Sequence, residues 1–141
     1  MDFRLSQDKG YFDIDFESGD FAKTDSLDTA IFMSVFCEKR AEQLNDPTQR
    51  RGHLTNLFSE VSGYEVGSLL WLYTEQAKNT TQNLSQVESA VNSGLQWMID
   101  DKIISNVKVK ASKTINQISI QIDLINKLQN VSKYYNLFAK I

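Results

Sequence analysis

Four groups of residues in this chain carry side chains that can do chemistry. The first is acidic. Asp13, Asp15 and Glu17 alternate in the run YFDIDFESGDF, residues 11–21. A D-x-D-x-E run brings oxygens close enough to invite calcium. An EF-hand loop, however, also needs a glycine and a closing glutamate at set positions and flanking helices, which this stretch lacks. The acids read instead as the wet face of a short strand or hairpin, with Phe12, Ile14 and Phe16 opposite and Ser18-Gly19-Asp20 as the turn. The second group pairs Cys37, the sole cysteine, with His53, the sole histidine. A Cys-His pair can generate a nucleophilic thiolate, but no spacing here brings the two together. Cys37 reads as a small buried hydrophobe and His53 as a structural or surface residue. One of each leaves no zinc-type ligand set and no internal disulfide.

The third group is the scattered carboxylates Glu60, Glu65, Asp100 and Asp101, from which a glycosidase would draw two at a defined separation across a cleft. The fourth is Arg50-Arg51-Gly52-His53. Guanidinium groups chelate carboxylates or chain carbonyls in a fork, and Gly52 permits a backbone shape other residues resist. This loop is expected to be an interface or a buried brace. There is no glycine-rich phosphate loop and no Ser-His-Asp order. No catalytic residue, metal ligand or cofactor is assigned, and the chain is expected not to be an enzyme.

The elements that must position these groups follow from periodicity. Leu84, Val87, Val91, Leu95 and Met98 recur at helical spacing, Trp97 and Ile99 widen the face, and Ser85 with Glu88 has capping-box spacing. After Asp100-Asp101-Lys102 the period changes from 3.6 to 2. Val107 and Val109 alternate with Lys108 and Lys110, and Ile118, Ile120, Ile122 and Leu124 alternate with Ser119, Gln121 and Asp123. Upstream, residues 27–44 read as a first helix capped by Asp25 or Ser26 and stopped at Asp46-Pro47. Its apolar stripe is Leu27, Ala30, Ile31, Ser34 and Val35, with Phe32 and Phe36 on another side. Residues 47–67 hold no period and form a long, functional or partner-ordered loop. Residues 67–78 resume helical character with Ser68 as a cap; Ser132 to Ile141 reads as a strand or a short terminal helix, and a third strand folding back is favoured because a strand stands just before it. The fold class expected is α+β, three to four helices packed on a small antiparallel sheet, in one domain over residues 1–141. Trp71, Trp97, Phe32 and Leu95 are expected as core anchors. Either the Lys108–Lys110 strand or the segment with Tyr134, Tyr135 and Phe138 is expected to present a free edge that another chain completes.

With 141 residues, 41% hydrophobic content and 23% charge, the composition is that of a soluble globular protein large enough for a real core. A net charge of −3 gives no basic footprint for nucleic acid, and no apolar run reaches the length that spans a bilayer. The first ten residues lack a signal-peptide pattern, so cytosolic synthesis is expected.

The order of short motifs carries a further expectation. Gly19-Asp20-Phe21, Leu27-Asp28-Thr29-Ala30, Glu38-Lys39-Arg40-Ala41, Arg50-Arg51-Gly52-His53, Gly67-Ser68-Leu69-Leu70-Trp71-Leu72 and Leu95-Gln96-Trp97-Met98 follow one another. Over about residues 10 to 125 this series resembles the Mu-like phage baseplate-wedge family, itself similar to the sheath-initiator, lysozyme-like baseplate proteins of contractile tails. Three departures stand out. His53-Leu54 occupy the place of an aromatic pair, Asn56 that of an aspartate, and Ile99-Asp100-Asp101-Lys102 that of a Glu-Pro-Arg motif in the initiator proteins. The resemblance implies a non-catalytic structural subunit assembled in the host cytoplasm and present in several copies in a six-fold virion baseplate. Its implied partners are other wedge proteins, hub or tube proteins and the tail sheath. The alternative weighed beside it is a peptidoglycan-degrading tail enzyme, although the lysozyme-like label of the related proteins does not itself imply hydrolysis.

Overall fold

The computed structural model describes residues 2–8, 11–24, 27–53, 56, 65–76, 84–126 and 131–140. Six short strands come first: β1 (Asp2–Phe3), β2 (Leu5–Asp8), β3 (Tyr11–Ile14), β4 (Phe16–Glu17), β5 (Asp20–Phe21) and β6 (Lys23–Thr24). They form three antiparallel ribbons, β1 with β6, β2 with β3 and β4 with β5. The ribbons meet at a ring of main-chain bonds: Arg4 N–H to Ala22 C=O at 2.8 Å, Ala22 N–H to Asp15 C=O at 2.8 Å, and Asp15 N–H to Arg4 C=O at 3.0 Å. The hairpin expected near Gly19 is present as β4–β5, turning through Ser18 and Gly19 at positive φ. Its expected apolar face is not buried as one. Phe12 packs on Phe32 and Phe36, whereas Ile14 and Phe16 are exposed. The chain changes pairing partner at Asp15, so the alternation loses its common face there.

The first helix, α1 (Asp28–Phe36), is much shorter than expected. Cys37 already has extended dihedrals, φ −65° and ψ 143°. The reason is a non-local pairing. Ser68 N–H donates to Cys37 C=O and Lys39 N–H donates to Ser68 C=O, both at 3.0 Å, while Ala41 N–H donates to Arg50 C=O at 2.9 Å. Residues 38–44 have good intrinsic helix formers, and tertiary bonds override them. Gly67 makes the approach possible: at φ +106° its Cα lies so near Cys37 that a Cβ would stand 2.3 Å from the Cys37 carbonyl oxygen. Leu27 stands at the N-cap without a side-chain bond; Asp25 and Ser26, the expected caps, lie outside the described residues, as do Leu54, Glu60 and Ile141.

The second helix, α2 (Leu70–Gln76), is headed by Ser68, whose hydroxyl accepts from Leu70 N–H at 3.1 Å and donates to Val35 C=O at 2.6 Å. The long helix α3 (Leu84–Asp100) buries Val87, Val91, Leu95 and Met98 completely. It ends with Lys102 in the left-handed region and bonds from Lys102 N–H to Ile99 C=O and Ile103 N–H to Met98 C=O, the pairing of a Schellman end. The capping box does not form. Ser85 lies inside the helix, and Glu88 turns to the sheet, where its carboxylate accepts from Ala111 N–H at 2.9 Å.

Three ten-residue strands complete the described chain: β7 (Ile104–Lys113), β8 (Gln117–Asn126) and β9 (Val131–Lys140), antiparallel in the order β7-β8-β9. A bulge at Ser105 shifts the register between Ile104 and Asn106, which lets Ile104 and Val107 both turn inward. The inner face puts Ile118, Ile120, Ile122, Leu124, Leu137 and Ala139 into one core with the α3 stripe, Ile31 and Val35. Lys108, Lys110, Gln121 and Tyr134 stand on the wet face. The C-terminal segment is therefore a third strand that contributes to the chain's own core.

The expectation of three to four helices packed on one small antiparallel sheet needs correction. Strand exceeds helix, 40% against 33% of the described residues, and the strands among those residues form four sheets. Only three α-helices occur among those residues. The difference arises at two places already named: the first helix stops at Phe36, and the chain before Thr24 makes three ribbons where one hairpin was expected. No helix among the described residues is long and apolar enough to cross a membrane.

Candidate partner-binding surfaces

The sheet has two outer strands, and their edges differ. Main-chain groups of alternate residues in a strand point to opposite sides. On β7, Ala111 N–H faces away from β8, since it bonds Glu88; Val107 N–H, on the same side, is taken by the Asn106 side chain at 2.9 Å. On β9, Phe138 faces outward and the Gln7 amide claims it twice, Nε2 to Phe138 C=O at 2.7 Å and Phe138 N–H to Oε1 at 3.3 Å. Ser132, Tyr134 and Asn136 share that outward side, and among the described residues nothing closes it. Tyr134 is 61% exposed. Tyr135 points the other way, half-buried against Phe32, with its phenol donating to the Asp28 carboxylate and Lys133 Nζ 3.6 Å from the same group. Burial, and then the Asp28 carboxylate, push the Tyr135 phenol well above its ordinary range. Of the three aromatic candidates on this strand, Tyr134 and Phe138 lie on the wet face and Tyr135 ties β9 to α1.

The Arg50-Arg51-Gly52 loop is a brace. Arg50 Nε donates to Leu44 C=O at 2.8 Å and its NH1 group reaches Glu42 at 3.1 Å. Arg51 lies over the Trp71 ring at 4.8 Å and spans two carboxylates, Glu38 at 3.2 Å and Glu75 at 2.6 Å. Trp71 in turn donates from Nε1 to Lys39 C=O at 2.9 Å. Arg51 and Gly52 both adopt positive φ, and a Cβ on Gly52 would press on Arg40 Cβ at 3.2 Å. His53 is half-buried beside this loop, and its carbonyl accepts from Asn56 N–H. Asn56 holds Val66 from both ends, Nδ2 to Val66 C=O at 3.0 Å and Val66 N–H to Oδ1 at 2.8 Å. An ionised carboxylate, which only accepts, could not make the first of these bonds.

Among the expected core anchors, Leu95 is fully buried, while Phe32, Trp71 and Trp97 are half-buried. Trp97 donates from Nε1 to Ser34 Oγ at 2.9 Å, so its polar end is satisfied and its ring forms the side of a cleft of about 540 Å³. Met33, Ala30 and Val66 complete the apolar floor, and Asp2, Glu65, Asp100 and Asp101 stand around it. Three of the four carboxylates weighed for a glycosidase thus share one cleft. Glu65 is 3.7 Å from Lys39 Nζ and Asp100 accepts from Gln96 at 3.0 Å. The acids of the N-terminal run do not converge: Asp15 and Glu17 both turn to Arg4, at 2.9 and 3.7 Å. No group of three or more potential metal-ligating side chains occurs among the described residues. Burial pushes the Cys37 thiol upward, the direction opposite to an activated nucleophile.

One surface had no signal in the sequence. Phe3, Phe16 and Phe21 form an exposed aromatic cluster on the ribbons, with ring centroids 5.4 Å apart for Phe3–Phe21 and 4.9 Å for Phe16–Phe21. Their meeting depends on the β1–β6 and β4–β5 pairings. Gln7 and Asp28 were likewise missed and Glu88 was read as half of a capping box, because each acts on a strand far away in the chain.

Comparison with known proteins bears on the middle of this structure. A family model described as phage protein GP46 matches residues 27–131, from the start of α1 to the start of β9. The chain belongs to the GP46 family of phage proteins. A similar protein is the Mu-like prophage FluMu protein gp46 of Haemophilus influenzae, 29% identical over 111 residues that cover 79% of this chain and 76% of the relative. No solved structure matches. The GP46 match takes in the arginine brace, α3 and the β7–β8 pair, and most of the cleft lining; the three ribbons and most of β9 lie outside it.

Proposed function

We propose that this chain is a non-catalytic structural subunit of a contractile phage tail baseplate, joining the wedge scaffold to the hub and tube and offering a strand edge on which sheath assembly begins. The observation that carries the reading is the outward side of β9 at Ser132, Tyr134 and Asn136, a row of main-chain donors and acceptors on an outer strand of a chain from a Mu-like phage family. Such an edge templates an incoming strand, and main-chain bonds give its growth a direction. The Gln7 clamp and the Tyr135–Asp28 bond tie β9 to β2 and α1, so the edge is held against the chain's own fold.

Replacing Asn136 with proline tests this. The change removes an outward N–H and leaves the β8–β9 ladder intact, which edge strands tolerate. Asn136→Pro phage lysates are expected to contain folded protein but few sheathed tails, while Asn136→Ala, which keeps the N–H, assembles normally. Normal tails from the proline variant would overturn the edge assignment. A second reading, peptidoglycan hydrolysis, draws on the carboxylates around the Trp97 cleft. The non-catalytic reading is preferred because Lys39 and Gln96 engage Glu65 and Asp100 and the floor is apolar, with little to hold a sugar. Lysis of purified cell walls by the parent chain, lost in Glu65→Gln, would reverse that preference.

A further inference from the structure

We propose that, before the chain meets any other protein, the free edge of β9 is covered by the same edge of a second copy, in an isologous antiparallel dimer centred on Tyr134. The dimer rests on the edge used in the proposed function and not on the tail role; it is what occupies that edge beforehand. The free stretch is bounded at both ends. β9 begins at Val131, and at Phe138 the Gln7 amide takes both the N–H and the C=O, at 3.3 and 2.7 Å. Between these limits the β8–β9 register runs without a bulge, so Ser132, Tyr134 and Asn136 turn their main-chain groups outward. The row is symmetric about Tyr134. On β7, the other outer strand, the side chains of Asn106 and Glu88 break the corresponding row at Val107 and Ala111.

A second β9 laid along this row in two-fold register puts Tyr134 opposite Tyr134, Ser132 opposite Asn136 and Asn136 opposite Ser132. Each pair then exchanges both of its main-chain bonds, and every outward N–H and C=O of the stretch is used in both copies. A shift of one strand period either way sets Ser132 opposite the clamped Phe138, or Asn136 beyond the start of the other strand. The side chains agree with this register. No charged residue lies in the row. Lys133, 3.6 Å from Asp28 of its own chain, comes opposite Tyr135 of the second copy, so like charges do not meet across the axis. Tyr134, 61% exposed in the single chain, gains the ring of its counterpart. Edge strands that stay single are commonly guarded by charge or proline, and this row has neither. Both edges are consumed in the pairing, so association stops at two copies.

The test uses the full chain, purified, in sedimentation equilibrium from about 10 µM to about 1 mM, the range in which so small an interface associates. A monomer–dimer equilibrium with no larger species is expected. Asn136→Pro removes an outward N–H at both ends of the ladder, at a position where edge strands tolerate proline. It should weaken the dimer about tenfold or more, whereas Asn136→Ala, which keeps the N–H, should leave it within about twofold. Crosslinking gives a second readout that does not depend on how the proline variant folds. In a Cys37→Ser background, a short thiol-to-thiol reagent is expected to join Tyr134→Cys chains to one another, since opposite Cβ atoms lie about 5 Å apart. Ser132→Cys chains should not join one another, being about 13 Å apart along the strands, but should join Asn136→Cys chains when the two are mixed. The dimer is overturned by a monomer throughout the range, by growth beyond two copies, by an Asn136→Pro dimer as tight as the parent's, or by Ser132→Cys chains joining as readily as Tyr134→Cys chains. None of these results bears on the tail reading, which is tested by tails in the lysate.

Discussion

Gly94 offers a test of the packing in which the sign of the result decides. It lies in the third quarter of α3, where the helix passes the end of α1 and the head of α2. A Cβ there would stand 2.7 Å from the Ser34 carbonyl oxygen and 2.8 Å from Ser68 Cβ. Neither neighbour can step aside. Ser34 O is helix backbone, and Ser68 is buried and bonded to Val35 and Leu70. Comfortable heavy-atom contact begins at roughly 3.5 Å, so the helices would have to part by about 1 Å at this point. On an exposed helix Gly→Ala is stabilising by about 1 kcal/mol. Here the overpacking cost, about 1–3 kcal/mol, opposes it, and the fully buried Val91 and Leu95 on either side resist the parting as well. The expected net effect of Gly94→Ala is a loss of up to about 2 kcal/mol, read as a fall of up to roughly 8 °C in melting temperature for a chain of this size. Ser93→Ala, at the exposed neighbouring position, serves as the control and should gain a few tenths of a kcal/mol at most, on the order of its propensity difference. A Gly94→Ala protein that melts at or above the parent would refute the α1–α3 contact.

Trp97→Ala should lower stability by about 2–3 kcal/mol in urea titration, below the 3–5 kcal/mol typical of large aromatic truncation, because the indole is half-buried and leaves Ser34 still bonded to Ala30 C=O; a loss under about 1 kcal/mol would sink the packing assigned to it. Arg51→Ala removes a stacked guanidinium and two ion pairs whose side chains are 41–50% exposed, so solvent screening holds the cost to about 1 kcal/mol. In a Trp97→Phe background the same change should shift Trp71 emission to the red, and unaltered emission would contradict the stacking. The Tyr135 phenol is raised in the folded state by burial and by Asp28. A raised value means that its stabilising contribution is present in full below the unfolded value near pH 10 and is lost as pH climbs from there toward the folded value. The parent should therefore lose stability above about pH 10 more steeply than Tyr135→Phe, and parallel curves would count against the buried bond.

What the sequence discloses and what it hides divide along contact distance in the chain. The α3 stripe and the β7–β8 alternation were legible because each records, within a dozen residues, which face meets the core: Val87, Val91, Leu95 and Met98 at helical spacing, Ile118, Ile120, Ile122 and Leu124 at every second position. The arginine loop was legible only as an interface or a buried brace; its partners Glu38 and Glu75 and the stacking on Trp71 lie outside that stretch, and Arg51 stays largely exposed. The end of α1 was not, since residues 38–44 have a helix-forming composition and are claimed by Ser68 and Arg50 from outside the window. Nor was the Trp97 cleft, assembled from Asp2, Met33, Val66 and Asp100. Yet a local trace of that hidden junction did exist. Gly94 interrupts a strong helical stripe, and Gly67 precedes a helix start; a glycine inside a helical pattern is costly unless something must come close. Here Gly67 meets Cys37, just past the end of α1, and Gly94 meets Ser34, Ser68 and the carbonyl of Gly67 itself. Two glycines with separate local explanations thus become one, because neither position leaves room for a Cβ where α1, α2 and α3 meet.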